Sequence, residues 1–335
     1  MLNSHFDPTS LPYHNPKKIR RVALITAGNS GVGWYTALHL YLHGYVVYLA
    51  GRSKVRCQNL IKTLVEEAAA IRADYDEDQQ SIRILGELHY LEIDLASLAS
   101  VLRAVSTFRN LEKHLNILVN NADVSVLPYT VTPDGFDVQL QTNYVSPFLL
   151  TTKLLPLLEC SADLYPHLEA PRVIYISLVA HKIILGYFNL NACLNYHPNF
   201  FFTWIRYSIA KTAGIHFMRM LALRNPRVLC MSVHPGFIMH TNYFSYWTRL
   251  PIIGIVFWLF FELFGFLFGV TVEEGSHALV KCSLDPELTP ENDNGSHFAY
   301  NNKAEPSRIA RNMDYAARSW IWTVHQLGKR HIDIV

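Results

Sequence analysis

Residues Arg21 to Leu40, RVALITAGNSGVGWYTALHL, decide how this chain is read. Val22 to Ile25 are apolar and partly β-branched, the composition of a buried strand. Gly28, Gly31 and Gly33 follow within six residues. Behind them Trp34, Leu38, Tyr41 and Leu42 recur at helical spacing. Strand, glycine-rich turn and helix make the first half of a dinucleotide-binding βαβ unit. Glycines let the backbone approach a pyrophosphate, and a helix N-terminus offers free N–H groups with positive partial charge. Gly28, Ser30, Gly31, Val32 and Gly33 are therefore the candidate phosphate cradle. The plainer alternative is an ordinary tight turn; the strand before it and the helix after it argue against that.

Working outward, Tyr45 to Ala50 reads as a second buried strand, ending at Gly51-Arg52. A site for NAD usually has an acidic residue here to hold the ribose 2′-hydroxyl. This chain has none, and Arg52 would favour a 2′-phosphate by charge and forked donors. The alternative is a plain surface arginine. A helix is expected from about Ser53, and the acidic stretch ADYDEDQQS at 73–81 reads as a solvated loop. Leu88 to Ile93 is a third strand. Asp94, just past its end, either holds an adenine amino group or caps the next helix with Ser97. Leu115 to Val119 is a fourth strand, followed by Asn120 and Asn121, which tie the loop to the sheet edge or simply form a turn. A helix over about 134–158 carries Asn143 in an apolar setting, where a buried amide must find partners. Pro147 is expected to kink or break that helix.

Arg172 to Ser177 is a fifth strand. After a long loop, Tyr207 and Lys211 stand four apart at a helix start and so share a face. An ammonium beside a phenol lowers its pKa and lets it exchange a proton near neutrality. With 18 tyrosines, about one such pair arises by chance, so the pair alone decides nothing. Val228 to Val233 is a sixth strand, leading into His234-Pro235-Gly236, with Thr241 further on. About seven strands, the last near His297–Tyr300, alternate with helices. The expected fold is α/β, a Rossmann-type doubly wound parallel sheet with helices on both faces. A polar arm (1–20) leads into a single domain (21–300), and a C-terminal helix is expected over 306–327 within a tail of 301–335.

Half of the 335 residues are apolar, enough for a large core. A net charge of +2 without a basic stripe implies no nucleic-acid partner. Five scattered cysteines, none in a CxxC pair, read as free thiols of a reducing compartment, and no metal site is expected. The N-terminus has no apolar run behind a basic start, so it does not read as a secretory signal. Residues 251–270, PIIGIVFWLFFELFGFLFGV, are almost wholly apolar. As a helix they would span ~30 Å, the thickness of a bilayer core. Glu262 near the middle is costly there, and a spanning helix would divide one fold between two compartments. The reading is a monotopic insertion or shallow hairpin within 240–270, broken near Gly254 or Gly265, with Trp247, Arg249 and Trp258 at the interface. The alternative is a lid over a greasy substrate site.

TAGNSGVG (26–33), NNAD (120–123), Tyr207 with Lys211, and Pro235-Gly236 occur in the order of the TGxxxGxG, NNAG, YxxxK and PG motifs of the short-chain dehydrogenase/reductase family. The chain resembles that family over roughly 21–300. DGFDVQLQTNYVSPFLLT (134–151) and SLVAH (177–181) resemble its retinol-dehydrogenase-like branch. Within that branch the chain is most similar to a fungal oxidoreductase linked to lipid droplets and vacuolar morphology. The resemblance implies NADP(H) as cofactor, with Asn121, Pro235, Gly236, Ile238 and Thr241 beside it. It implies that Tyr207 exchanges a proton with a carbonyl or alcohol. Lys211 would tune that phenol and hold the nicotinamide ribose, and Asn143 would anchor a water in a proton relay. It further implies a lipophilic substrate of the retinoid, sterol or fatty-aldehyde class. The location would be a lipid droplet, endoplasmic reticulum or vacuole membrane, on the cytosolic face, and a homodimer is allowed.

Three residues depart from the pattern. Ala27 replaces a loop glycine, which is tolerable while φ stays negative. Asp123 replaces the glycine of NNAG and puts a side chain near the cofactor loop. Leu178 stands at the catalytic serine position. Ser177 could substitute only by a one-residue shift, against the alternation of strand side chains. Losing one donor to a developing oxyanion costs ~10²–10³ in rate. Two functions follow, an active oxidoreductase or a cofactor-binding member with little catalysis that acts in droplet or vacuole organisation.

Overall fold

The computed structural model describes residues 6–28, 31–166, 168–184, 186, 188–191, 196, 199–238, 255, 259, 263 and 269–334. Most of the 240–270 segment, with Ser30 and Thr241, therefore lies outside the described residues.

Eight strands form one sheet: β1 (Val22–Thr26), β2 (Val46–Gly51), β3 (Glu87–Glu92), β4 (Ile117–Asn120), β5 (Arg172–Ile176), β6 (Leu229–His234), β7 (His297–Ala299) and β8 (Asn302–Ala304). Their order is β3-β2-β1-β4-β5-β6-β7-β8, parallel as far as β7, with β8 antiparallel. The expected doubly wound parallel sheet is present, with one strand more than the seven expected. The extra strand is a short return after Tyr300, whose φ of +54° turns the chain back. Strand order reverses between β1 and β4, so a crevice opens at their carboxyl ends, where sheets of this kind take ligands.

Both faces of the sheet are covered, because successive strand residues point to opposite sides. Val22 and Leu24 join one core with Phe108, Phe148 and Phe217. Ala23 and Ile25 join the other with Leu38, Leu279 and Phe298. The main helices are α1 (Gly31–Leu42), α2 (Lys54–Ala73), α3 (Leu98–Leu111), α4 (Ser146–Leu164), α5 (Asn199–Arg224), α6 (Val272–Leu284) and α7 (Met313–Gly328).

Three expectations are corrected. The acidic stretch at 73–81 is not a loop: α2 runs through Ala73, and a short helix, Glu77–Ile82, follows. Asp76 accepts the Gln79 N–H while the Gln79 side chain accepts the Asp76 N–H, and acidic residues suit a helix N-terminus. The helix expected over 134–158 starts later. Asp137 caps one turn, a π-helical turn spans Gln141–Val145, and only then does α4 begin. Pro147 lies just after that π-helical turn, where it cannot donate to the Asn143 carbonyl four residues back. The last helix starts at Met313 rather than 306, because the Asn312 side chain caps it.

Burial drives several histidines toward neutrality. It pushes the pKa of His181, His216 and His234 down to about 4, and that of His39 and His297 down to about 3. Unfolded, each would titrate near 6.5. Between the two values the unfolded chain binds more protons, so folding stability is full above about pH 6.5 and is lost as pH falls toward 4. Each group contributes up to ~1.4 kcal/mol per pH unit in that window. The urea unfolding midpoint should therefore drop steeply between pH 7 and pH 5; a level midpoint would contradict neutral burial of these rings.

Candidate active site

The carboxyl ends of β1 and β4 are tied together first. The Thr26 hydroxyl accepts the N–H groups of Asn121 and Ala122, both at 3.0 Å. The Asn121 amide donates to the carbonyls of Thr26 at 3.0 Å and Ala27 at 2.9 Å. Gly33 makes room for this, since a methyl there would lie 2.4 Å from the Asn121 amide nitrogen. Gly28 is needed for a different contact: a methyl on it would come within 2.7 Å of Leu49 on β2. Gly31 alone of these three opens outward. Its φ is +59° and nothing lies within 4 Å of where a Cβ would be. Ala27 carries a φ of +51°, so the condition for its easy tolerance is not met and the residue is strained in the left-handed region.

The π-helical turn places Asn143. Its side chain clamps the backbone of Val124, accepting the N–H at 2.9 Å and donating to the carbonyl at 2.8 Å. The Asn143 carbonyl in turn accepts the Tyr175 hydroxyl at 2.7 Å. Nothing in the sequence reading singled out Tyr175. Its ring lies against Gly214 of α5, where a methyl would be 2.0 Å from the ring.

Tyr207 and Lys211 are both almost completely buried, with 2% and 1% of their surface exposed. The Lys211 ammonium donates to the Ile176 carbonyl at 3.0 Å and pairs with Asp123 Oδ1 at 3.1 Å. The Tyr207 hydroxyl donates to Asp123 Oδ2 at 2.6 Å. One carboxylate thus bridges the phenol and the ammonium. Burial pushes the Lys211 pKa down, and the Asp123 charge opposes that shift. The sequence signal for Asp123 was its departure from NNAG, but its reach to both groups was not foreseen.

Asp123 and Tyr207 line a cavity of about 880 Å³, whereas Lys211 is not part of its wall. Gly31, Trp34, Leu178, Trp204 and Phe237 also line it, and most of its wall is apolar. Val32, Asn121, Pro235, Gly236 and Ile238 line it as well. Gly236 has a φ of +100° and sits against the Tyr300 ring, 2.6 Å from where its Cβ would be. Ser177 is a correction. It is fully buried, its N–H continues the ladder to the Val233 carbonyl at 2.8 Å, and it does not reach the cavity, whereas Leu178 does. Strand alternation turns one in and the other away. Arg52, exposed at the end of β2, and Asp94 lie outside the cavity wall. Asp94 accepts the Ala96 N–H at 3.0 Å, and of the two capping candidates it is Ser97 that caps α3.

Open Gly31 at the start of α1 and a buried phenol on the same cavity, with an ammonium joined to it through Asp123, fit a dinucleotide. The profile of the short chain dehydrogenase family matches residues 21–177. Over 92% of this chain and 86% of its own length, retinol dehydrogenase 11 of Mus musculus is 32% identical. This chain belongs to the short-chain dehydrogenase family. Another similar member, a short-chain dehydrogenase/reductase of Aspergillus calidoustus, is 30% identical over 96% of this chain and 98% of its own. Polyprenol dehydrogenase of Homo sapiens is 28% identical over 93% and 87%. Among solved structures, the Pseudomonas aeruginosa RhlG/NADP active-site complex has the same fold, with a TM-score of 0.60 at 22% identity, covering 86% of this chain and 96% of that one.

Strain at Ala27 gives a direct test of the glycine turn. A left-handed alanine costs ~1–2 kcal/mol, partly offset by the extra freedom glycine has when unfolded. Ala27→Gly should therefore raise folding stability by up to about 1 kcal/mol, read as a higher melting temperature. A lower one would show that Ala27 is not strained.

Proposed function

We propose that this short-chain dehydrogenase is an NADP(H)-dependent oxidoreductase that interconverts a carbonyl and an alcohol on a lipophilic substrate beside a lipid surface. The observation that carries this is the buried Tyr207 on the wall of one largely apolar cavity that Gly31 also lines, with the buried Lys211 joined to that phenol through Asp123. The NADP complex of a solved relative of this fold and the absence of an acidic residue at Arg52 support the phosphorylated cofactor. The N–H groups at the start of α1 would hold its diphosphate and Arg52 its 2′-phosphate, with Ser30, Asp94 and Thr241 flanking. Lys211 and Tyr207 would hold its nicotinamide ribose. When bound, the cofactor supplies or accepts the hydride.

The chain's own part is proton transfer and exclusion of water. Tyr207 Oη delivers a proton to a substrate oxygen or removes one, and Lys211 balances charge at the phenol. Leu178 offers that oxygen no hydrogen bond, so Tyr207 polarises it alone. The apolar wall, from Trp34 to Phe237, suits the chemistry named for the similar retinol and polyprenol dehydrogenases. With purified protein, NADPH absorbance should fall in the presence of apolar ketones or aldehydes. Tyr207→Phe should cut turnover by at least ~10², and Leu178→Ser should raise it by ~10². Turnover that survives Tyr207→Phe unchanged would sink this mechanism. Leu178 also favours a second reading, a cofactor-binding member with little catalysis. That reading gains if the wild type is inert and Leu178→Ser turns over.

The lipid surface rests on residues 239–269. This excursion leaves after Ile238 and returns at Val270, whose N–H donates to the Phe237 carbonyl at 2.9 Å. Phe237 and Ile238 line the cavity, so the base of the excursion stands at the site. Ile255, Leu259 and Leu263 are helical, four residues apart and 65%, 56% and 62% exposed. Among the described residues no helix is long and apolar enough to cross a membrane. A lipid droplet, endoplasmic reticulum or vacuole membrane would supply the surface, on its cytosolic face. Deleting 251–270 should move the protein from the membrane to the soluble fraction; retention on the membrane would refute the assignment.

A further inference from the structure

Resting on the cofactor reading above, we propose that Asp123 is an internal competitor for the nicotinamide ribose. Its carboxylate clasps Tyr207 and Lys211 and must rotate away before the nicotinamide half can bind and react.

The donors are already engaged. Tyr207 has a single O–H proton, and it is given to Asp123 Oδ2 at 2.6 Å. A phenol in that state cannot give the same proton to a substrate carbonyl. Of the three donors of Lys211 the Ile176 carbonyl takes one, and Asp123 Oδ1 forms an ion pair with the ammonium at 3.1 Å. A group with two oxygens spans phenol and ammonium as a pair of neighbouring hydroxyls would. Both contacts are charge-assisted and lie in a site where Lys211 is 1% exposed, so a neutral hydroxyl pair competes at a disadvantage.

Release has to come from the side chain. On one side the Thr26 hydroxyl holds the N–H groups of Asn121 and Ala122. On the other, Asn143 holds both the N–H and the carbonyl of Val124. The backbone on either side of Asp123 is therefore pinned, and rotation about its side-chain bonds is the motion that remains. The dinucleotide should then bind more weakly than its adenylate end alone would allow, because only the nicotinamide half meets the clasp.

The test is calorimetry on the full chain with NADPH and with adenosine 2′,5′-bisphosphate, which lacks the nicotinamide riboside. Asp123→Gly removes the clasp. Asp123→Asn removes the charge but keeps shape and one acceptor, so it remains informative if a buried Lys211 without a partner prevents Asp123→Gly from folding. Both variants should bind NADPH more tightly, by about tenfold or more in the glycine variant. The bisphosphate should change by less than about twofold, because it does not reach Lys211. Equal or weaker NADPH binding by variants that melt cooperatively would overturn the clasp. If no form of the protein binds either ligand, the cofactor reading itself fails and the clasp falls with it.

Discussion

An ammonium with almost no exposed surface must be given acceptors, and the arrangement of this site follows from how Lys211 receives them. The penalty for a dry, unpaired charge is several kcal/mol, so the acceptors cannot be optional. They come from the ends of two neighbouring strands. Ile176 closes β5, and Asp123 lies three residues past β4. By joining both, Lys211 fixes α5 across the carboxyl edge of the sheet, and Tyr207, one turn earlier on the same face, is carried to the cavity. Gly214, three residues further along α5, allows the Tyr175 ring to pack where a side chain would collide. The Tyr175 hydroxyl then satisfies the carbonyl of Asn143, the residue that pins the loop carrying Asp123. Helix, strand and loop are thus coupled through buried polar contacts rather than through apolar packing alone.

The parts of the structure legible in the sequence are those set by short-range rules. Strand periodicity, a glycine turn and a following helix identify β1 and α1 because these depend on local sterics and backbone partners. The order of motifs identifies the pairing of Tyr207 with Lys211 because an i, i+4 spacing fixes a shared face. Ser177 and Leu178 were separable by strand alternation, and the structure follows that rule. What was not legible depends on where a side chain finds a distant partner. Asp123 stood out as a substitution, but its distance to α5 is a tertiary quantity. The π-helical turn at Gln141–Val145 has no sequence period of its own, and it exists where Asn143 and Tyr175 meet. The helix at Glu77–Ile82 was hidden by its charge, although Asp76 and Gln79 carried a capping pattern. Ala27 was tolerable on the condition of a negative φ, whereas the turn holds a left-handed residue at Ala27 itself.

The clasp also bears on how a charged site survives inside an apolar cavity. Burial alone drives Lys211 toward its neutral form, and the negative charge of Asp123 restrains it. Without Asp123, the buried Lys211 would keep the Ile176 carbonyl as its named polar partner among the described residues. A carboxylate at position 123 supplies the counter-charge, so the pair carries no net charge. On the clasp proposal, the residue that obstructs the ribose is also the counter-charge that a buried Lys211 requires.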